Sequence, residues 1–345
     1  MADWDVDARI LEKHGLLNVR RLPREKFLKA QMIGRKLLNS NSQDLQELRK
    51  KFCSKSIIDD SGLSFDADYS FKKFLPQTYI SASFLLSLTE PENIVAIPQG
   101  FRHQKELYPE TVTDRIHLDI NRYNSEKIYQ SKPDIAFVAN YSHPSTLQAL
   151  TNQGVPLFTL NAIDTLPEIK NAIKRIGHVI QRPLEAELLT LFMESAMLAI
   201  DNRLLAMSHA VIAEHGSPRI MFLQHLSQFS QPTLKTITGQ LLGRLDSQKF
   251  TFVFTHQNQR NQWMIPVEQE QVVNINPDCL IVATSNSEAL EQQFSSSTAF
   301  QSLSATKNNK VYFIDDTPQA PTQYVILAYY DIADALVKAT SPYLR

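Results

Sequence analysis

The chain has 345 residues, 43% hydrophobic and 21% charged, with a formal net charge of −1. That length supports two domains with real cores, and the near-neutral balance gives the chain as a whole no attraction for nucleic acid or an anionic membrane. No apolar run reaches the roughly 18 residues that span a bilayer, and two cysteines are too few for a disulfide framework or a thiolate metal site.

Residues 1–52 read as a polar helical arm packed on the main body, with basic pairs at Arg20-Arg21 and Lys50-Lys51. The start, MADWDVDAR, is acidic where a secretory signal would be basic and then apolar. Two locations follow: cytoplasmic, or periplasmic or otherwise extracytoplasmic if Met1 was added to a mature chain whose signal is not shown. Residues 56–71, SIIDDSGLSFDADYSF, predict a hairpin punctuated by Ser61-Gly62. Strand and helix then alternate. TYISA (78–82) predicts a strand, SFLLSL (83–88) a short helix and IVAIP (94–98) a strand. Residues 124–131 predict a helix, IAFVA (135–139) a strand, 143–154 a helix, VPLFTL (155–160) a strand and 166–180 a helix. This alternation implies a parallel sheet with right-handed crossovers.

The segment from Pro183 to His215 keeps a helical apolar period with no breaker until Gly216 and Pro218. At about 1.5 Å per residue it is a rod of about 50 Å, longer than one lobe needs and suited to joining two. The strand–helix scheme then resumes. RIMFLQ (219–224), TFVFT (251–255), CLIVA (279–283) and KVYFID (310–315) predict strands; 233–245, 267–275 and 323–339 predict helices.

Residues 126–139, EKIYQSKPDIAFVA, align without a gap on residues 270–283, EQVVNINPDCLIVA. Pro133 meets Pro277 and Asp134 meets Asp278. Each copy reads as a helix end, a Pro-Asp turn and a strand covered on both faces. One unit used twice implies two similar lobes with a cleft for a ligand.

From about residue 56 onward the chain resembles the substrate-binding proteins of ABC importers. More narrowly, it is similar to the class with a long helical backbone between lobes, which serves iron–siderophore, haem, cobalamin and metal uptake. The resemblance rests on the hairpin IIDDSGLSFD, the two Glu…Pro-Asp units, the Pro183–His215 helix and AFQSLSATKNNKVYFID (299–315). It implies an α/β fold of two parallel-sheet lobes joined by one long rigid helix, to which the polar N-terminal residues add a helical extension. The expected divisions are an extension over 1–55, an N-terminal lobe over 56–182, the helix over 183–216 and a C-terminal lobe over 217–345. It also implies an ABC-importer permease as partner, although the family's docking glutamate is missing from SASFLLSL before Glu90 and from TLKTITGQLL. The expected chain is a monomer with a small metal-containing ligand and no nucleic-acid partner.

Open α/β sheets bind ligands beyond the carboxyl ends of their strands. That rule selects Ser81 and Ser83 as anion-binding positions at a helix start, Arg102 for a carboxylate or phosphate, and His103. It further selects Tyr141 and His143, then His225 and Phe229, then His256, Arg260 and Trp263, and lastly Asp316 and Thr317. Each has a plainer reading: solvated loop histidines, Tyr141 as a packing residue, Phe229 and Trp263 as lobe core. Together, His103, His143, His225 and His256 share one position after predicted strands, and His103, Tyr141, His143 and His225 form the candidate metal set. The resemblance and this mixture of Tyr, Arg and aromatic groups point to an iron chelate, a siderophore or haem, as ligand, with no catalytic cofactor. No Gly-x-Ser-x-Gly elbow, Walker loop or His-Glu-x-x-His occurs. The alternative is a cytoplasmic two-lobed enzyme or chelatase-like protein.

Overall fold

The computed structural model describes residues 24–340 apart from 67–68, 106, 121–126, 128–129, 247–249 and 256–261, with backbone alone at 24, 25, 27 and 206–215. The chain divides into two compact units, Met1–Ala196 and Met197–Arg345. Among the described residues no helix is long and apolar enough to cross a membrane.

The first unit opens with helices α1 (Arg24–Asn39) and α2 (Ser42–Phe52). Asn41 caps α2 by accepting from the N–H groups of Gln43 and Asp44. The expected hairpin forms, with β1 (Ser56–Ile58) antiparallel to β2 (Ser64–Asp66). Asp59 organises its turn. One carboxylate oxygen accepts from Ser61 N at 2.9 Å and Leu63 N at 2.8 Å; the other accepts from Thr159 N at 2.8 Å. Desolvation works to raise the Asp59 pKa, but the hydrogen bonds from Thr159, Ser61 and Leu63 outweigh it and hold the carboxyl below its ordinary value.

The sheet of this unit is parallel, in the order β3 (Phe74–Pro76), β6 (Ile135–Ala139), β7 (Leu157–Leu160). All five residues of β6 are buried, as the unbroken apolar run IAFVA requires. A smaller parallel pair joins β4 (Ile97–Pro98) to β5 (Asp119–Ile120). The expected strand over 78–82 is instead the first turn of α3 (Tyr79–Leu88), and β3 takes its place upstream. The reason is a capping box. Thr78 Oγ1 accepts from Ser81 N at 3.1 Å, and Ser81 Oγ accepts from Thr78 N at 3.2 Å, which starts the helix at Tyr79. The helix expected over 124–131 falls largely on residues outside those described. Two further helices, α4 (Pro144–Asn152) and α5 (Leu166–Val179), follow β6 and β7.

The long helix α6 runs unbroken from Pro183 to His215, and the division between the units falls inside it. Within the first unit its acidic residues are clamped from two sides. Glu194 takes Lys26 of α1 and Lys170 of α5, and Glu187 takes Lys29 and Lys174 in the same way. Arg49 of α2 pairs with Glu185. Ala30, Ile33, Leu184 and Leu191 form the apolar seam beneath these pairs.

The second unit carries a six-stranded sheet whose centre is parallel, as expected, with two antiparallel strands added at one edge. β8 (Arg219–His225) pairs in parallel with β12 (Cys279–Thr284) and with β10 (Thr251–Phe252), and β12 with β13 (Val311–Ile314). But β9 (Phe229–Pro232) turns back antiparallel on β8, and β11 (Met264–Pro266) runs antiparallel to β9. The segment after RIMFLQ is therefore a tight reversal with His225 opposite Phe229. Helices α7 (Ile237–Asp246), α8 (Gln269–Ile275), α9 (Ser287–Ser296) and α10 (Val325–Thr340) complete the unit. Asp201 of α6 fastens this end. It accepts from Arg244 of α7 and, at 2.6 Å, from the Tyr329 hydroxyl of α10. Burial, with the Asp201 charge beside it, holds the Tyr329 hydroxyl far above the usual tyrosine range.

Candidate functional site

Each unit presents a rim at the carboxyl ends of its parallel strands. In the first unit the segment leaving β6 is Asn140-Tyr141-Ser142-His143. Ser142 holds it in place: its hydroxyl accepts from Ala139 N at 2.9 Å and donates to Gln77 Oε1, while Gln77 N donates to Phe137 O at 2.9 Å. Gln77 stands one residue beyond β3, so the ends of two adjacent strands are tied together. The tie leaves Tyr141 on the surface with 61% of its area exposed. Desolvation by the protein around its base still raises the phenol pKa above the ordinary value.

His143 is exposed and caps α4, its Nδ1 accepting from Ser145 N at 3.3 Å. In that tautomer the neutral ring keeps its proton on Nε2 and offers a donor rather than a lone pair. Past β4, Gly100 takes the left-handed region at φ 89°, and His103 follows, exposed, at the end of a short 3-10 turn. Beneath it an aromatic trio packs. Phe101 and Tyr108 ring centroids are 4.1 Å apart, and Tyr79 lies 4.9 Å from Phe101. The Tyr79 hydroxyl donates to Gln104 Oε1.

Three expected residues of this unit do other work. Ser83 is fully buried, its hydroxyl accepting from Tyr108 at 2.5 Å, because α3 begins four residues before it. Ser81 belongs to the capping box described above. Arg102 is occupied: Nε binds Asp119 Oδ1 at 2.9 Å, Nη1 binds Thr113 O at 2.6 Å, and Nη2 binds Ile116 O. It braces the segment leading into β5.

In the second unit His225 ends β8, half-buried, with its ring 4.8 Å from that of Phe229. Phe229 is a core residue, at 6.1 Å and 5.8 Å from the rings of Phe294 and Phe300. Its place is set by the reversal into β9, which the sequence pattern concealed. Trp263 is 49% exposed. It precedes Met264, which pairs with Pro232, so by register it stands at the end of its strand away from His225. His256 and Arg260 lie outside the described residues. Beyond β13, Asp315 accepts from Thr317 N at 2.9 Å, and burial followed by the neighbouring Asp315 charge raises the Asp316 pKa.

Sequence reasoning missed Gln231. It is buried at the point where β8 exchanges β10 for β9 as its neighbour. Its Oε1 accepts from Thr255 N at 2.8 Å and Thr255 Oγ1 at 3.0 Å; its Nε2 donates to Val253 O at 3.1 Å and Phe222 O at 3.4 Å. One amide thus stands in for missing ladder bonds and fixes Thr255 at the carboxyl end of β10. A glutamine in the polar stretch HLSQFSQP reads as loop, and no sequence signal marks it.

Among the described residues no three His, Cys, Asp or Glu side chains converge to hold a metal ion.

The pattern of the periplasmic binding protein family matches residues 79–318. No curated protein sequence matches the chain. Solved structures share the fold. The triscatecholate siderophore binding protein FeuA from Bacillus subtilis, complexed with ferri-bacillibactin, is 14% identical, with 85% of this chain and 100% of that one covered and a TM-score of 0.60. The periplasmic heme-binding protein RhuT from Roseiflexus sp. RS-1 is 16% identical over 79% of this chain and 100% of that one, TM-score 0.60. A possible iron-binding periplasmic solute-binding protein from Staphylococcus epidermidis is 18% identical over 78% and 99%, TM-score 0.59.

Proposed function

The chain belongs to the periplasmic binding protein family, and we propose that its solute is an iron chelate, a ferric siderophore or haem, captured for an ABC-type importer. The observation that carries this reading is Tyr141. Its phenol stands exposed two residues past the central strand β6, held out by the Gln77–Ser142 tie and followed by a histidine. A phenolate is a strong ligand for ferric iron, and His143, two residues on, offers an N–H to a chelate oxygen or a propionate. His103 lies on the same rim of the first unit. Relatives of this fold described as siderophore- or heme-binding support the choice of solute class.

The function so read is binding rather than catalysis, with a membrane permease as the receiving partner and an extracytoplasmic location. Docking to the permease uses residues other than early glutamates, because α3 carries no acidic residue in its first turn and neither does α7.

The test is a titration of the purified protein with haemin and with ferric siderophores, followed by tryptophan fluorescence. Tyr141→Ala weakens binding at least about tenfold, or about 1.4 kcal/mol. Unchanged affinity in both Tyr141→Ala and His143→Ala removes the site, and no response to any iron ligand removes the reading.

A further inference from the structure

The family match begins at residue 79, so the arm α1–α2 lies outside it. Its charge is unlike that of the chain as a whole. Residues 24–55 hold nine lysines and arginines against three acidic residues, in a protein of net charge −1. Its apolar residues are also unusual. Thirteen large hydrophobic side chains are exposed among the described residues, and four of them, Leu28, Met32, Leu38 and Phe52, belong to this short stretch.

The clamp on α6 decides which way the arm faces. Ala30 and Ile33, with Leu37 beside them, pack against Leu184 and Leu191. Lys26, Lys29 and Arg49 are committed to the carboxylates of α6. With about 3.6 residues per turn, Leu28, Met32 and Arg35 then fall on the opposite side of α1. There Leu28 is 50% exposed and Met32 42%. The C-terminal end of α2 adds Lys50, Lys51 and Phe52, and Lys36 lies over the Phe52 ring with its ammonium 4.9 Å from the centroid. The result is an apolar strip flanked by cations, displayed by a rigidly anchored helix.

We propose that this outer face of the arm is a docking surface for an anionic lipid leaflet. Cations flanking a short row of Leu, Met and Phe match a layer of negative headgroups above acyl chains. Lipid is favoured over a second copy of the chain, because two such faces carry the same sign of charge. The role is separate from that of the ligand rims and holds whatever solute the protein carries.

Vesicle co-sedimentation of the full chain tests it. Vesicles of phosphatidylcholine alone are compared with vesicles containing phosphatidylglycerol, at low and at raised salt. Binding is expected only to the anionic vesicles and is expected to weaken as salt rises. Arg35→Glu, Lys36→Glu, Lys50→Glu and Lys51→Glu, combined, lower partitioning at least about tenfold. These four leave the α6 clamp intact. Should the combined variant unfold early, Leu28→Ser with Met32→Ser provides an independent test and also lowers partitioning. Equal binding to neutral vesicles, no binding to anionic ones at low salt, or undiminished partitioning of a folded variant overturns the proposal. An arm that binds an acidic protein instead gives the second of these outcomes.

Discussion

Asp134 and Asp278 hold matching positions in the two units. Each stands one residue before a central strand and accepts from the backbone that opens the neighbouring parallel strand. Asp134 Oδ2 takes Lys72 N at 2.9 Å and Lys73 N at 3.0 Å, ahead of β3; Asp278 Oδ2 takes Arg219 N at 2.9 Å, at the start of β8. Each returns its own N–H, Asp134 to Lys73 O at 2.8 Å and Asp278 to Arg219 O at 2.9 Å. Even the residue before each proline matches, with Lys132 at φ 44° and Asn276 at φ 45°. Asp134→Ala and Asp278→Ala each leave a strand-opening N–H to water, and each lowers stability by about 1 kcal/mol, read as a shift in the urea midpoint. No shift in either variant means that the paired geometry carries no stability.

The acid limb of stability reports on Asp59. Its folded pKa is lowered, so its contribution is complete above the unfolded value of about 3.9 and is lost as pH falls through the folded value. Thermal unfolding from pH 7 down to about pH 3 compares wild type with Asp59→Asn. The variant is less stable at neutral pH by about 1–3 kcal/mol, and the gap closes in acid. A gap that stays constant with pH contradicts the lowered carboxyl.

Two glycines of α7 respond in opposite directions to alanine. A Cβ at Gly239 meets Thr233 O at 1.9 Å, a backbone atom that cannot step aside; at Gly243 the nearest atom is Leu234 Cδ2 at 3.1 Å, the end of an exposed side chain. Gly239→Ala costs about 1–3 kcal/mol through overpacking. Gly243→Ala is neutral or stabilising by up to about 1 kcal/mol, since alanine is the better helix former. Similar midpoints for the two variants rule out the close approach at Gly239.

Removing the Gln231 amide strands the Thr255 N–H and the Val253 carbonyl. Gln231→Leu lowers stability by about 2–3 kcal/mol despite its similar size, because buried groups lose their partners. Hydrogen exchange at Thr255 quickens in parallel. An unchanged Thr255 amide means that the ladder substitute is not needed.

The proposed ferric ligation by Tyr141 predicts a pH signature. Its phenol pKa is raised, so the group is neutral near pH 7 and a metal must expel the proton. Affinity for a ferric ligand then rises about tenfold per pH unit over the neutral range. In Tyr141→Phe that slope disappears. A flat profile in wild type, with Tyr141→Phe binding as tightly, assigns the ring to stacking instead of ligation.

The sequence by itself determined the elements whose cause is local. IAFVA and CLIVA are apolar on both faces and became buried central strands; the breaker-free run from Pro183 became one helix of 33 residues; Ser61-Gly62 became the hairpin turn. The matched Pro-Asp units are legible for the same reason, since Pro and Asp act through their own backbone. Tyr141 and His143 could be placed just past a strand because a strand end is visible in the pattern.

Tertiary structure decided whatever depends on a distant partner. Residues 78–82 have a strand's composition, yet the reciprocal bonds of Thr78 and Ser81 make them a helix start and bury Ser83 behind it. Arg102 reads as a ligand group until Asp119, Thr113 and Ile116 surround it. Phe229 reads as a loop residue until β9 turns it into the core, and Gln231 gains meaning only where two strands part. The polar arm became a clamped helix pair because Glu185, Glu187 and Glu194, more than 130 residues away, supply its counter-charges. Periodicity records which face of an element is apolar; it does not record which partner satisfies a polar side chain, and that pairing assigned each of these residues its work.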